Sequence, residues 1–425
     1  MSDLAEPLIQ PGIAVDSFDL SDPEFWLAPR DYREGAFHAL RTEDPVRFYE
    51  EYDFPDSPFP KGAGYWALTK YDDVWFASRN PHLFISGQGS NIGDLPIEMA
   101  EFFGSMIAMD DPKHFRLRSI VSKGFTPKHI ARVESYVRTK AERLVDGLLE
   151  RFPDGECDFV TEIAAPLPLH IICEMMGIPE SDFDQIFAWT NHILGAGDPE
   201  FGGTLEALMG AAMGMFAYAQ ALGEERLKNP GEDLTSVMMQ AEVDGERLTV
   251  QEFGSFFILL AVAGNETTRN AISHGMRALT QYPEQRKIWF DDYDNVTKTA
   301  VDEIVRWATP VIHFRRTATE DVVLSGTKIE AGQKVVLWYN SANRDEPIWG
   351  NPYELDLRRP LQPQQAGFGA GGPHFCLGAN LARREISVMF DQIRTRLPEM
   401  RITGEPDWLQ SNFINGIKHL PCAWK

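Results

Sequence analysis

From residue 112 to about residue 243, apolar positions recur at three- and four-residue spacing, with breaks at Pro127, Pro153, Pro179, Pro199 and Pro230. That pattern predicts a mostly helical body. A longer pattern runs from residue 248 to about 282, and through Phe256–Phe257–Ile258–Leu259–Leu260 it is apolar on most faces, the mark of a buried helix. Strand-like pieces are fewer and shorter: residues 64–69, 321–324 and 334–338, the last two separated by Gly326 and Gly332. Asp72–Asp73 reads as the capped start of a helix that continues through Ala77. Residues 84–110 have weak periodicity and read as a long loop that could contact a ligand. Residues 342–365 are Pro-rich and irregular, and residues 413–424 read as a strand and a turn. The fold class is therefore mainly α with a smaller β region. No linker, repeat or low-complexity tract divides the chain, so one domain is expected over residues 1–425, with residues 1–24 as a poorly ordered arm.

One short segment carries the clearest chemistry. Cys376 stands in Gly367–Phe368–Gly369–Ala370–Gly371–Gly372–Pro373–His374–Phe375–Cys376–Leu377–Gly378, and a helical pattern begins at Ala379. Glycines ahead of the thiol let the backbone pass close under a flat ligand where a Cβ would collide. A thiol at a helix N-terminus is favoured as thiolate by the free N–H groups and the macrodipole. Such a thiolate suits the axial position of a haem iron, where its electron donation favours O–O cleavage. The other reading of an isolated cysteine is a buried, inert thiol.

A second constellation, Ala263–Gly264–Asn265–Glu266–Thr267–Thr268, lies at the centre of the buried helix. A carboxylate and an alcohol in so apolar a helix are costly unless paired or used. Together they can relay protons to bound O₂; alternatively, they mark a helix kink with Glu266 salt-bridged elsewhere. Glu303 and Arg306 share a helix face at i and i+3, which on a surface is a solvated pair of little worth.

These motifs resemble the cytochrome P-450 superfamily, with similarity from about Phe25 to Trp424. The resemblance implies a haem-thiolate monooxygenase with Cys376 as the iron ligand, Thr267 as the oxygen-activating threonine and Glu266 as its acidic partner. It makes Glu303 and Arg306 structural, joined by Arg359. His114, Arg118, Arg316 and His374 match propionate partners, and Phe368, Gly378 and Gly264 match residues against the macrocycle. The interval from Phe368 to Cys376 is one residue longer than is usual, a length shared by the bacterial subgroup that oxidises the ends of sterol side chains and methyl-branched lipids. Similarity is greatest to the methyl-branched-lipid omega-hydroxylases, then to the sterol 26/27-hydroxylases.

The implied cofactor is haem b, with O₂ as co-substrate and electrons from a ferredoxin and its reductase; the chain itself has no flavin or iron–sulfur pattern. Lys113, Arg116, Lys123, Lys128, Arg383 and Arg384 fall in segments expected on the proximal side, where they would steer an acidic donor; scattered solvated charges are the plainer reading. An apolar funnel holding a long chain end-on needs an apolar wall. Candidates are Ile92, Phe103, Met106, Ile193, Leu194, Leu208, Leu260, Ala263 and Phe413, each of which also suits ordinary core. Hydroxylation of a sterol or terpenoid at an internal carbon, a haem-thiolate sensor or lipid carrier, and a peroxide-driven oxygenase remain as alternatives.

A net charge of −23 argues against a nucleic-acid binder. Four cysteines without metal-ligand spacing fit a reducing cytoplasm. With no signal pattern and no apolar run of membrane-spanning length, a soluble, cytoplasmic monomer is expected.

Overall fold

The structure, a computed structural model, describes residues 9–54, 58–122, 127–195, 198–201, 203–243 and 245–425, without the side chains of residues 127–132, 134 and 243. Helix dominates and strands form a smaller part, the expected class. The chain folds as two compact units, each assembled from separated segments: residues 1–100, 278–376 and 410–415 in the first, and residues 101–277, 377–409 and 416–425 in the second.

The first unit is built on a five-stranded sheet. In spatial order its strands are Val46–Tyr49, Tyr65–Leu68, Lys334–Trp338, His313–Ala318 and Phe84–Ile85. Only the Tyr65–Leu68 and Lys334–Trp338 pair is parallel. Lys334–Trp338 is buried along its length, and its side chains alternate between two apolar layers. Val335 and Leu337 join Val74, Trp75, Ala366 and Ala370, whereas Val336 and Trp338 join Leu20, Phe25, Trp26 and Phe37. Trp26 stacks on Trp338 with ring centroids 5.3 Å apart.

Three sequence expectations change here. The arm expected over residues 1–24 is docked across its described part: Ile13 and Leu20 are buried, and Asp22 caps the helix Pro23–Leu27 by accepting the Glu24 N–H at 2.9 Å. The apolar area buried there outweighs the chain entropy lost. Residues 84–110 are not one loop, since they hold the helix Ile97–Gly104 and a 3₁₀ turn at Ser105–Ala108, both too short to show a clean period. The helix expected at Asp72 begins at Tyr71, and its cap comes from a distant residue: Asp345 Oδ2 accepts the Tyr71 N–H at 2.8 Å. Asp72 and Asp73 instead lie in the first turn, where they complement the helix dipole.

The second unit is the expected helical body. It contains Lys113–Ser122, Pro127–Arg151, Pro166–Met176, Phe183–Leu194, Leu205–Lys228, Leu234–Gln240, most of Val250–Gln281, and Ala379–Arg396. Pro127 and Pro166 stand at helix starts, where the missing N–H is no loss. Leu205–Lys228 is, among the described residues, the one helix long and apolar enough to cross a membrane by length and composition. It packs on Phe183–Leu194, with Trp189 edge-on to Tyr218 at 6.2 Å and Gly214 admitting the Trp189 ring. A small sheet joins Arg401–Ile402, Pro421–Ala423 and Glu156–Asp158.

Candidate active site

The Cys376 loop belongs to the first unit. Gly369, Gly371 and Gly372 all have positive φ, at 88°, 75° and 75°. A Cβ on Gly372 would lie 2.1 Å from the Ser78 carbonyl oxygen, and one on Gly371 would lie 2.9 Å from Arg79 Nε. Ser78 Oγ donates to the Gly371 carbonyl at 2.9 Å. These two glycines therefore turn the loop against the protein rather than clear space for a flat ligand, which corrects the reading of the whole glycine run. Gly367 is likewise crowded by Val305 and Gln365. Room remains at Gly369, whose nearest neighbour would stand at 3.7 Å, and at Gly378, which meets nothing within 4 Å. Cys376 N–H donates to the Phe368 carbonyl at 2.9 Å, fixing the backbone of an exposed thiol beside a buried Phe368. The ring Nε2 of His374 lies 3.1 Å from Ser86 Oγ.

Elsewhere in the same unit, Glu303 and Arg306 are 2% and 1% exposed, so the pair is not a surface salt bridge. Arg306 Nε and Nη2 donate to Glu303 Oε2 and Oε1 at 2.7 and 2.8 Å. Arg359 Nε donates to Oε2 at 3.1 Å, and the Asp356 N–H to Oε1 at 3.1 Å. Burial pushes the Glu303 carboxyl up, but the two guanidinium groups override it and hold the group below its usual range. Arg306 Nη1 reaches the Asn343 and Pro352 carbonyls at 2.8 and 3.0 Å, and Arg359 Nη1 reaches Trp349 at 2.9 Å. The triad thus ties the helix Tyr293–Ala308 to the irregular segment 343–359.

Arg316 is buried on the strand His313–Ala318, with Nη1 donating to the Arg315 carbonyl at 2.7 Å. Neighbouring Arg315 and Lys334 both grip Asp94, each at 2.7 Å, and Lys334 also holds the Ile92 carbonyl at 3.3 Å. They anchor the segment that carries Ile92, which packs against the Trp338 layer. Phe413 packs on His313 and Phe314 at 5.5 and 5.4 Å.

The second unit carries the carboxylate and the alcohol. Along Val250–Gln281 nearly every side chain from Phe253 to Leu279 is buried, yet Leu260, Val262, Ala263, Gly264 and Thr267 are only partly so. Four of these five, Leu260, Ala263, Gly264 and Thr267, are spaced i, i+3, i+4 and i+7 and so share one open stripe on an otherwise closed helix. Thr267 Oγ1 donates back to the Ala263 carbonyl at 2.8 Å. Gly264 also admits Ile172, whose Cδ1 would stand 2.6 Å from a Cβ, so part of the reason for glycine is helix packing.

Glu266 is buried and clamped. Its Oε1 is ion-paired with Arg269 and accepts Asn270 Nδ2 at 2.9 Å, while Arg269 Nη1 donates to Asn191 Oδ1 at 3.1 Å. Its other oxygen, Oε2, has no hydrogen-bond partner among the described residues. The salt-bridged reading of Glu266 is therefore correct as a description, with one carboxylate oxygen still uncommitted. Arg269, Asn270 and Asn191 were missed in the sequence, although spacings of i+3 and i+4 from Glu266 were a legible signal.

His114 is buried on Lys113–Ser122 with Nδ1 3.2 Å from Asp111 Oδ1, and burial pushes its pKa down. Arg118 follows one turn later on the same face. Met106 is buried, whereas Phe103, Ile193, Leu194 and Leu208 are half-buried on three elements, Ile193 and Leu194 sharing the helix Phe183–Leu194. The expected basic patch is weakened. Lys113 is paired with Glu101 at 2.5 Å and Arg116 with Glu252, while Lys123 and the Lys128 side chain lie outside the described residues.

Comparison with known proteins agrees with this arrangement. The family model for Cytochrome P450 matches residues 99–396. The methyl-branched lipid omega-hydroxylase of Mycobacterium tuberculosis is 54% identical, covering 97% of this chain and 96% of its own. A steroid C26-monooxygenase of Mycolicibacterium smegmatis is 40% identical over 96% of this chain and 94% of its own. The structure of a Mycobacterium marinum cytochrome P450 in complex with pseudoionone matches with a TM-score of 0.89 and 40% identity, over 96% of this chain and 98% of that one. The chain belongs to the cytochrome P450 family and is a monooxygenase of that family, which implies a haem-thiolate iron cofactor and the use of O₂.

Proposed function

We propose that this enzyme hydroxylates the terminal methyl of methyl-branched lipids or related isoprenoid chains. The observation that carries this reading is the 54% identity, over nearly the whole chain, to a relative named for that activity. Sterol side chains form the second reading, favoured by the C26-monooxygenase relatives. The residues present suit haem b: an exposed thiol with a fixed backbone, Gly378 beside it facing open space, Gly369 where a side chain would meet only the loop's own backbone at ordinary contact distance, and an open stripe on a buried helix. When bound, the cofactor supplies iron chemistry that activates O₂ for insertion into a C–H bond.

In this proposal the Cys376 sulfur holds the iron, and Phe368 and Gly378 border the macrocycle. His114, Arg118, Arg316 and His374 supply donors for its two carboxylates. Thr267 offers its hydroxyl from the open stripe, and Glu266 moves protons through the oxygen that Arg269 and Asn270 leave uncommitted. Leu260 and Ala263 present apolar surface on the same stripe, where a hydrocarbon chain can be positioned without a polar anchor. Electrons come from a ferredoxin, for which Arg383 and Arg384 on Ala379–Arg396 are basic candidates.

The test is optical titration of haem-loaded enzyme with a methyl-branched fatty acid, its straight-chain analogue and a 3-keto sterol. A low-to-high-spin Soret shift with the branched acid, followed by a terminal alcohol as product, is expected. A response to the sterol alone would move the assignment to sterol side chains, and hydroxylation at an internal carbon would overturn the terminal-methyl reading.

A further inference from the structure

Two cysteines outside the site face each other in the second unit. Cys157 lies on Glu156–Asp158 and Cys422 on Pro421–Ala423, directly opposite one another in an antiparallel pair. Two residues to either side, Phe159 N–H donates to the Leu420 carbonyl and Trp424 N–H to the Gly155 carbonyl, both at 2.9 Å. The cysteines therefore occupy a hydrogen-bonded position of the ladder, where Cα atoms stand about 5.5 Å apart. Disulfides span about 5.5–6 Å between Cα atoms most often. The two sulfurs are 3.6 Å apart, in contact already, so side-chain rotation suffices to join them without moving the strands. The partners differ in access: Cys157 is half-buried, whereas Cys422 is 1% exposed. Neither belongs to the thiolate loop or to the clamp on Glu266.

We propose that Cys157 and Cys422 form an oxidisable pair, a modification site at which a hydroperoxide converts two thiols into a cross-strand disulfide. Hydrogen peroxide is the two-electron reduction product of O₂, and an O₂-reducing enzyme releases it when electrons are consumed without hydroxylation. The more accessible sulfur reacts first. Cys157, as thiolate, attacks one peroxide oxygen; the O–O bond breaks, the other oxygen leaves as hydroxide and takes a proton to become water, and a sulfenic acid remains. The Cys422 sulfur then attacks the Cys157 sulfur, the S–O bond breaks, and the hydroxyl leaves with the Cys422 proton as a second water. Peroxide gains two electrons and each sulfur loses one. The buried partner needs no access to the oxidant because it meets only its neighbour. The contact with Cys422, and burial after it, push the Cys157 thiol well up, so the first step quickens as pH rises. The product fastens the C-terminal strand to Glu156–Asp158.

The experiment exposes full-length, haem-loaded enzyme to graded hydrogen peroxide, stops the reaction with catalase, unfolds the protein in the presence of an alkylating agent so that the buried Cys422 is reached, and maps the unreduced peptides. The expected result is a cross-linked species joining the peptides of residues 157 and 422 that accumulates with dose and disappears on reduction with dithiothreitol. Cys422→Ser should abolish that species and leave Cys157 trapped by a sulfenic-acid reagent; Cys157→Ala should abolish it and leave Cys422 alkylable. The wild-type map decides the question even if a variant folds poorly. Both cysteines alkylable at doses that bleach the haem, or Cys157 advancing to sulfinic acid without cross-linking, would overturn the proposal.

Discussion

Replacing Glu303 by glutamine tests the buried triad at its centre. Glu303 accepts four hydrogen bonds, two at each carboxylate oxygen. Glutamine keeps the size, and its single carbonyl oxygen can serve the Asp356 N–H and Arg306 Nη2. Its NH₂ group then faces Arg306 Nε and Arg359 Nε, donor against donor. Two charge-assisted bonds are lost at about 1.5–3 kcal/mol each, and two guanidinium groups stay buried without a counter-charge. The two bonds together come to about 3–6 kcal/mol, in line with the usual cost of about 3–5 kcal/mol for breaking a buried ion pair from one side. Urea unfolding of the haem-loaded enzyme, followed by far-ultraviolet circular dichroism, should show a lowered midpoint with an unchanged slope. The pH dependence supplies a second reading. Because the folded-state pKa of Glu303 lies below its ordinary value of 4.5, its contribution is complete above that value and is lost as pH falls through the folded pKa. Wild type should lose stability relative to Glu303→Gln in that acid window. A midpoint change worth less than about 1 kcal/mol, where exposed pairs fall, would refute the claim that this triad holds residues 343–359 against the helix Tyr293–Ala308.

Three further outcomes follow from the site. Gly372→Ala should cost about 3 kcal/mol or more and lower haem retention, because a φ of 75° combines with a backbone oxygen at 2.1 Å; normal haem content and thermal stability would count against the loop geometry. Thr267→Ala should raise peroxide release and lower product formed per electron consumed, and unaltered coupling would remove Thr267 from proton delivery. Arg269→Met, which removes the counter-charge from Glu266 Oε1, leaves Asn270 as its donor and breaks the link to Asn191, should lower coupling and move the pH profile of turnover, with partial rescue by Arg269→Lys; an unchanged profile would leave Arg269 a packing residue only.

Long periodic segments were legible in the sequence, and Val250–Gln281 and Lys334–Trp338 lie where their patterns placed them. The strand His313–Ala318 was not, because Arg315 and Arg316 interrupt any apolar alternation; both are buried, and Arg315 pairs with an aspartate 221 residues away. The helix Ile97–Gly104 was hidden for a different reason, since eight residues are too few to show a clean period. At the site, residue types that only a particular chemistry requires could be read directly: the thiol at Cys376 and the carboxylate and alcohol at Glu266 and Thr267. What each glycine makes room for could not be read. Gly371 and Gly372 answer to Ser78 and Arg79, contacts that depend on the folded loop.

The interleaving of the two units has a consequence for how the protein is made. Tyr65–Leu68 has its parallel partner at Lys334–Trp338, and Glu156–Asp158 has its partner at Pro421–Ala423. A chain emerging from the ribosome carries its first two strands for more than half of its synthesis before the sheet's centre exists. Such long-range pairing slows folding and leaves apolar surface exposed meanwhile. Tyr65, Ala67 and Leu68, fully buried in the finished sheet, have no permanent cover until residue 338 has appeared. Truncation before residue 421 removes the strand paired with Glu156–Asp158, so neither a nascent fragment nor a shortened chain holds the complete set of pairings. Expression yield should therefore respond to chaperone supply and to translation speed across residues 70–330 more than to any change within the catalytic residues.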